Sequence, residues 1–254
     1  MLKRFLTVVA AAAAFAVPVS AQTVDEVIAK HQQARGGLEK IRAVQSLRFT
    51  GRIELEPGLE APFVQEVKRP DKTRLEFTVQ GMTGIQAYDG KSGWQVMPFN
   101  GKTDAEPMSP DDLKDVEEQA DIDGPLVDYK TKGHAVELLG KEKVEGSDAY
   151  KLKLTLKNGN IHTVYIDADS FLEVKDISKR TIRGTETEIE SMSGEYKEVN
   201  GLLFPFAVEQ GEKASPNKRH IVLEKIEVNP SLDDTRYKMP APKPVETKPA
   251  ETKP

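Results

Sequence analysis

The spacing of apolar side chains changes once along this chain, from a helical period near the amino terminus to strict alternation afterwards. Thr23 to Glu26 form a capping box, in which the threonine hydroxyl and the glutamate carboxylate each satisfy a free amide of the first turn. Apolar residues then recur at helical spacing on both sides of Gly36-Gly37. The sequence therefore predicts two helical pieces separated by a glycine break.

Alternation begins at Leu47 and places the apolar side chains of each strand on one face. The Asn-Gly pairs at 158–159 and 200–201 supply the positive-φ residues of tight hairpin turns. The predicted strands, about 11 in all, indicate a mainly β chain with helices (α+β), folded as an antiparallel meander, closed or half-closed. The twelve candidate ranges for these strands are 47–55, 63–69, 75–79, 84–88, 94–98, 135–139, 150–156, 161–166, 171–178, 185–192, 202–208 and 220–228.

One helical segment interrupts the strands. Ser109 to Asp112 combine a serine cap, a proline at the first helical position and two acids that face the positive end of the helix dipole. We expect this helix to run to about Ala120. After a break at Gly124-Pro125, we expect a short second piece from Leu126 to Tyr129.

Both ends of the chain are predicted to lie outside a single domain of residues 22–240. Residues 1–21 resemble a secretory signal, with two basic residues, an apolar run from Phe5 to Val17 and small residues before Gln22. That run is shorter than the ~20 residues that span a bilayer, so we expect cleavage after Ala21 and export rather than a membrane anchor. Residues 241–254 repeat Pro, Lys, Glu and Thr, which predicts a disordered tail.

Composition narrows the classes of function. The chain has a formal net charge of −5, and loss of Lys3 and Arg4 would make it more negative, so we expect no nucleic-acid partner. The sequence has no cysteine, which excludes disulfides, thiol catalysis, thiolate metal sites and a lipid-modified cysteine anchor. The apolar fraction of 38%, which includes the apolar signal, is low for a globular chain. It suits a sheet that has one face exposed to solvent.

Catalytic and metal chemistry have little support in the sequence. No GxSxG motif, P-loop or metal-ligand spacing occurs, and the acids between Asp111 and Glu118 have the spacing of a solvated helix face. We expect no catalytic residue, no metal and no cofactor, while residues brought together by folding leave a hydrolase open. We expect the four histidines to be solvent-facing or to lie at strand edges: His31, His134, His162 and His220.

The stretch from Val67 to Phe99 carries the most specific pattern. We expect its two pairs of apolar residues, at 75 and 77 and at 94 and 96, to share one unusually aromatic face of the sheet. In order, the stretch contains Lys68-Arg69-Pro70 at a strand end, Leu75 and Phe77, the turn Asp89-Gly90-Lys91, Trp94 and Val96, and Pro98-Phe99.

These motifs resemble those of the LolA-like family, the periplasmic carriers of outer-membrane lipoproteins. The family pattern is Lys-Arg-Pro at a strand end, then Asp-Gly-Lys-x-x-Trp and Pro-Phe, and Leu232 to Pro240 looks like its closing aromatic-x-x-Pro element. The resemblance covers most of Leu47 to Pro240. Thr73, Leu75 and Val96 stand where classical carriers often have larger aromatics, and Ala34 to Gly37 are more similar to divergent members.

The resemblance implies a half-closed antiparallel β-barrel with a helical lid over Pro110 to Tyr129 and acyl chains held on the apolar inner face. It implies that Arg69 is a latch that donates hydrogen bonds to lid backbone; the alternative is a solvated arginine at a strand end. Trp94 has the alternative of a plain core residue. The residues expected to line the lipid cavity are Leu47, Phe49, Leu75, Phe77, Trp94 and Val96.

The residues and the resemblance leave three functions open. The first is a monomeric periplasmic carrier of lipoprotein acyl chains or other lipid, with an inner-membrane release complex and an outer-membrane receptor as implied partners. The second is a sensor of envelope lipid or lipoprotein on the same fold, and the third is a hydrolase. Mass spectrometry of natively purified protein separates them, because bound acyl lipid favours the first two and an empty protein with turnover favours the third.

Overall fold

The computed structural model describes residues 22–56, 58–182 and 185–241. The predicted signal, residues 1–21, and residues 242–254 of the predicted tail lie outside this part of the chain. Helices α1 (Val24–Ala34) and α2 (Leu38–Ala43) precede the strands, and α3 (Pro110–Gln119) lies between the sixth and seventh strands. Among these residues, no helix is both long and apolar enough to cross a membrane.

The strands of the described residues form one antiparallel sheet of thirteen. Its order is β6-β5-β4-β3-β2-β1-β13-β12-β11-β10-β9-β8-β7, so the first and last strands pair near its middle and the sheet is unclosed. In chain order, the strands are β1 (Ser46–Glu56), β2 (Leu59–Lys68), β3 (Lys72–Val79), β4 (Met82–Tyr88), β5 (Gly93–Met97), β6 (Lys102–Pro107), β7 (Ala135–Val144), β8 (Ser147–Thr155), β9 (Ile161–Asp167), β10 (Glu173–Ile182), β11 (Thr185–Val199), β12 (Leu202–Glu212) and β13 (Arg219–Val228).

The predicted class, mainly β with helices, is confirmed, and the elements follow local signals closely. The Thr23 capping box is present, and the Ser109 hydroxyl accepts a hydrogen bond from the Asp112 amide at 3.2 Å. Two predictions about elements are wrong. Residues 126–129 form turns rather than a helical piece, and β6 was not predicted because its sequence, KTDAEP, has no apolar alternation.

Helices α1 and α2 pack on the same face of the sheet, which we call the inner face. Val27 and Ile28 of α1 contact Leu152, Leu154 and Ile166 in one buried cluster. Helix α2 contributes Ile41 to a second cluster, which includes Leu47, Val127, Leu202 and Phe204. These two clusters fix both helices at one end of the strands.

A row of aromatic side chains crosses the inner face in the first half of the sheet. Strand register places Gly51 opposite Phe63, Phe63 opposite Phe77, and Phe77 opposite Gly84. The Phe77 ring stacks on Phe99, with their centroids 5.5 Å apart. A side chain at position 84 would meet the Phe77 ring at 2.6 Å, so the glycine leaves space for the phenylalanine.

Substitution of Gly51 by alanine is expected to destabilise the protein by about 1–3 kcal/mol, because the added carbon has no room. A Cβ at position 51 would lie 2.3 Å from the carbonyl oxygen of Val222, which belongs to the paired backbone. Gly194 is the matched control, since it also lies within a strand and a Cβ there meets nothing within 4 Å. Urea unfolding should show the loss for Gly51→Ala only; equal midpoints for the two variants would contradict the packing argument.

Candidate functional site

Helix α3 lies over the inner face and contacts strands from both halves of the sheet. Its apolar residues Leu113 and Val116, followed by Ala120, pack against Tyr88 of β4. Its opposite side carries Asp115, whose carboxylate lies 3.0 Å from the Arg180 guanidinium of β10. The helix therefore joins β4 to β10 through one apolar contact and one charged contact.

Glu118 extends the charged side of α3 toward β9. Its carboxylate accepts hydrogen bonds from the side-chain amides of Asn158 at 3.0 Å and Asn160 at 2.6 Å, and it lies 3.3 Å from Nε2 of His162. The prediction that the acids of α3 form a solvated face is wrong for Asp115 and Glu118. Asp115 pairs with Arg180 and Glu118 with His162, both on strands of the sheet, and the Glu118 side chain is only 15% exposed.

A cavity of about 840 Å³ lies between α3, the segment that follows it, and strands β8 to β11. Its volume falls within the ~300–1,000 Å³ that is usual for small-molecule sites. Leu154, Leu156 and Val164 supply apolar wall. The remaining wall is mostly charged or polar, with Asp71, Glu117, Glu118, Gln119, Asp121, Lys132, His134, Lys157, Asn158, His162, Glu173, Asp176, Arg180 and Ser191.

His162 lies between two carboxylates at the wall of this cavity. Its Nδ1 is 3.1 Å from Asp176 and its Nε2 is 3.3 Å from Glu118. Burial alone would lower the pKa of His162, but the hydrogen bonds and charges of Asp176 and Glu118 raise it to about 10. The imidazole is therefore cationic at neutral pH and links α3 to β10.

Glu173 is the other strongly perturbed group of the cavity. Burial, reinforced by the charge of Asp176, raises the pKa of Glu173 to about 7, against opposing effects of Arg35 and His162. Its backbone carbonyl accepts a hydrogen bond from the Tyr196 hydroxyl at 2.7 Å. The carboxyl group thus changes its protonation near neutral pH.

Arg69 is held at the end of β2 by partners on two elements. Its guanidinium donates to the carbonyls of Ile41 at 3.3 Å and Val44 at 2.6 Å, at the end of α2. It also pairs with both carboxylate oxygens of Asp123, in the segment after α3, and one of these contacts measures 2.8 Å. Arg35 donates to the Asp123 carbonyl at 3.1 Å.

These contacts revise the predicted surroundings of Arg69. The expected donation to carbonyls at a helix end is present, but the helix is α2 rather than the predicted lid. The contact with the lid segment is instead an ion pair with a side chain. Exposure of 26% for the Arg69 side chain and 13% for that of Asp123 contradicts a freely solvated strand-end arginine.

The residues predicted to line a lipid cavity do not share one face. Trp94 pairs with Ala87 and Ala87 with Arg74, so Trp94 lies with Arg74 on the outer face; Val96 follows it there. Leu75 pairs instead with Gln86, and both Leu75 and Phe77 face inward. The prediction of one shared face is therefore wrong. A shared face required a strand register that differs by one residue from the observed register, and a shift of one residue moves every side chain of a strand to the other face.

Their surroundings differ accordingly. Trp94 is 4% exposed and its indole donates to the carbonyl of Tyr237 at 2.8 Å, in the closing segment that covers the outer face. Leu47 is buried in the cluster beneath α2, and Phe49 packs against that cluster. None of the six predicted residues lines the 840 Å³ cavity.

The prediction of solvent-facing or edge histidines is wrong for His31 and His162. His31 is 4% exposed, and its Nδ1 lies 2.9 Å from the carbonyl of Phe171. Burial, with the nearby charge of Arg35, lowers the pKa of His31 to about 4, so this histidine is neutral. His220 is exposed, as predicted.

Sequence reasoning missed Asp123, Glu173 and Asp176. Asp123 precedes Gly124-Pro125, a pattern that predicts only a break, and nothing near it indicates an arginine partner 54 residues away. Glu173 and Asp176 belong to a strand that reads as amphipathic. An available signal was the i, i+3 spacing of Asp115 and Glu118, which places both acids on one side of α3.

Comparison with known proteins bears on the fold. No family model matches the sequence, and no curated protein matches it. Three solved structures are similar over most of their length: a DUF1329-family protein from Desulfovibrio piger, a LolA-superfamily protein from Nitrosomonas europaea, and a putative outer membrane lipoprotein-sorting protein domain from Vibrio parahaemolyticus.

The three structures match this chain to similar extents. Their TM-scores are 0.60, 0.58 and 0.54, at 12%, 13% and 11% identity. They cover 85%, 86% and 84% of this chain and 97%, 98% and 94% of the respective structures. The resemblance inferred from the Arg69 to Phe99 motifs is confirmed at the level of the fold, and the chain has the LolA-like fold.

Proposed function

We propose that the chain is a periplasmic carrier that binds the acyl chains of lipoproteins or other lipid on its inner face and performs no chemistry. The observation that carries this proposal is the row of phenylalanines at positions 63 and 77, which lies on the face crossed by α3. Leu75 and Phe77 are only half-buried there and leave apolar surface accessible. Each methylene that leaves water for such a surface contributes about 0.8 kcal/mol.

The lid of this carrier is α3 with the segment that follows it. In the structure, Arg69 and Asp123 hold the segment against the end of α2, while Asp115 and Glu118 hold the helix against β9 and β10. Cargo that reaches the inner face beneath α3 displaces part of these contacts. Their re-formation after release then favours the closed, empty state.

Phe77→Ser is expected to weaken palmitate binding by tenfold or more, because it removes apolar contact on the inner face. Val96→Ser is the matched control, since Val96 is also a half-buried strand residue but faces outward. Titration calorimetry on both variants gives the ratio of dissociation constants. Equal losses for the two variants, or a loss confined to Val96→Ser, would place the lipid elsewhere.

Native mass spectrometry of the purified protein tests the proposal directly. We expect copurified acyl lipid, which palmitate displaces. Trp94 fluorescence should stay unchanged during loading, because the indole is buried on the outer face against Tyr237. An empty protein that fails to bind palmitate would refute the carrier, and turnover of an ester or amide substrate would indicate a hydrolase.

A further inference from the structure

The 840 Å³ cavity under α3 is lined by more carboxylates than the described cationic side chains pair with. Asp121 pairs with Lys132 at 2.6 Å, and Glu118 and Asp176 share His162. Arg180 forms its ion pair with Asp115, which does not line the cavity. Three lining carboxylates, those of Asp71, Glu117 and Glu173, take part in no ion pair among the described residues; Lys157 is the one lining lysine without such a pair.

Glu173 is the most informative of the three. Glu173 is partly accessible to solvent and lines the cavity. Among the described residues, none forms a hydrogen bond with its carboxylate. The charged or titratable groups around it are Asp176 on its own strand, Arg35 directly after α1, His162 of β9 and Tyr196 of β11. Arg35 is itself directed to the Asp123 carbonyl, so it does not form a hydrogen-bonded pair with Glu173.

The same cavity also has an apolar side, formed by Leu154, Leu156 and Val164. A ligand that suits both sides has an apolar chain and a cationic head. A carboxylate or phosphate head beside Glu173 would instead meet the like charges of Glu173 and Asp176.

We propose that this cavity binds the cationic head of an amphiphile, a primary ammonium group in particular, with Glu173 as its counter-ion. The inference rests on the proposed carrier function and specifies the cargo: single-chain or acylated molecules that bear an amine. An ammonium beside Glu173 supplies a hydrogen-bonded cation, which Arg35 and His162 do not provide among the described residues, and favours the ionised form of the carboxyl group.

This arrangement makes uptake dependent on pH. Because the pKa of Glu173 is raised to about 7, the group is mostly protonated at pH 6 and mostly ionised at pH 8. A cation binds the ionised form, so its affinity should fall by about tenfold between pH 8 and pH 6. A neutral ligand with the same chain should show no such change through Glu173.

Calorimetric titration with decylammonium, decanol and decanoate tests the inference, since the three share one chain and differ in head charge. We expect decylammonium to bind at least about tenfold more tightly than decanol at pH 8, and decanoate more weakly than both. Glu173→Gln should remove the preference and its pH dependence while leaving decanol affinity unchanged, which also shows that the variant is folded. Glu198→Gln, an exposed acid on β11, is the matched control and should retain both.

The outcomes separate this inference from the proposed function. Equal binding of the three probes, or a preference for decanoate, would overturn the ammonium site and leave the carrier intact. A preference that survives Glu173→Gln would overturn the assignment of the counter-ion. Failure of all three probes to bind would refute the carrier and, with it, the inference.

Discussion

Replacement of Arg69 by leucine is expected to lower the free energy of unfolding by about 2–4 kcal/mol, because it leaves a poorly solvated Asp123 carboxylate without its partner. The carbonyls of Ile41 and Val44 lose their side-chain donor in the same step. If the latch operates as proposed, the variant loads lipid readily but transfers it poorly, because the closed empty state is no longer favoured. Urea unfolding and transfer of palmitate to acceptor vesicles measure the two effects.

Arg42→Leu is the matched control for this experiment. Arg42 also joins α2 to the segment after α3, through two 2.8 Å contacts with the carboxylate of Asp128. Its side chain is 53% exposed and that of Asp128 is 45% exposed, so this pair should contribute at most about 1 kcal/mol. If Arg42→Leu and Arg69→Leu behave alike in unfolding and in transfer, burial does not distinguish the two arginines and the latch is refuted.

Replacement of His162 by glutamine is expected to cost about 3 kcal/mol at neutral pH, because Glu118 and Asp176 then face each other without the cation between them. The difference in stability between the parent protein and His162→Gln should disappear at alkaline pH. The pKa of His162 is about 10 in the folded protein, against 6.5 for an unperturbed histidine. Its raised value contributes stability that is fully present below pH 6.5 and is lost as pH rises through about 10.

Urea unfolding at pH 6.5, 8 and 10 measures this dependence. The parent protein should approach the stability of His162→Gln as the pH rises, while His220→Gln, which alters an exposed histidine, should follow the parent at every pH. A difference between parent and His162→Gln that is constant from pH 6.5 to 10 would show that the imidazole stabilises by shape rather than by charge.

The elements that the sequence predicted correctly are those with local causes. Thr23 and Ser109 cap the helices that follow them, because a cap and its amide lie three residues apart. Asn200 and Gly201 both have positive φ, as a two-residue hairpin turn requires. At the other Asn-Gly pair only Gly159 does, because Asn158 instead lies in a longer loop and donates to Glu118.

The faces of the strands could not be fixed in the same way. Alternation shows that Trp94 and Val96 share a face, and that Leu75 and Phe77 do, but it does not relate one strand to the next. That relation depends on strand pairing, and pairing displaced by one residue moves every side chain to the other face. The structure pairs Leu75 with Gln86 and Gln86 with Gln95, which places Trp94 outside.

The charged part of the site depends on contacts between distant elements. His162, Glu118 and Asp176 belong to β9, α3 and β10, and no spacing in the sequence relates them. Arg69 was found through its motif, whereas its partner Asp123 has no motif of its own. Local patterns therefore predicted which helix crosses the sheet, but the partners that hold the helix there became evident only from the folded arrangement.

The pairing of β1 with β13 has a consequence for when the protein can fold. A chain synthesised or exported from its amino terminus presents Leu47 long before Val228, its partner across the middle of the sheet. Contacts so far apart in sequence form slowly, because the entropy of closing the intervening loop opposes them. Hairpins such as β3–β4 can form early, but the two halves of the sheet join only when the last strand arrives. Until then, the strands before α3 have no pairing with the strands after it.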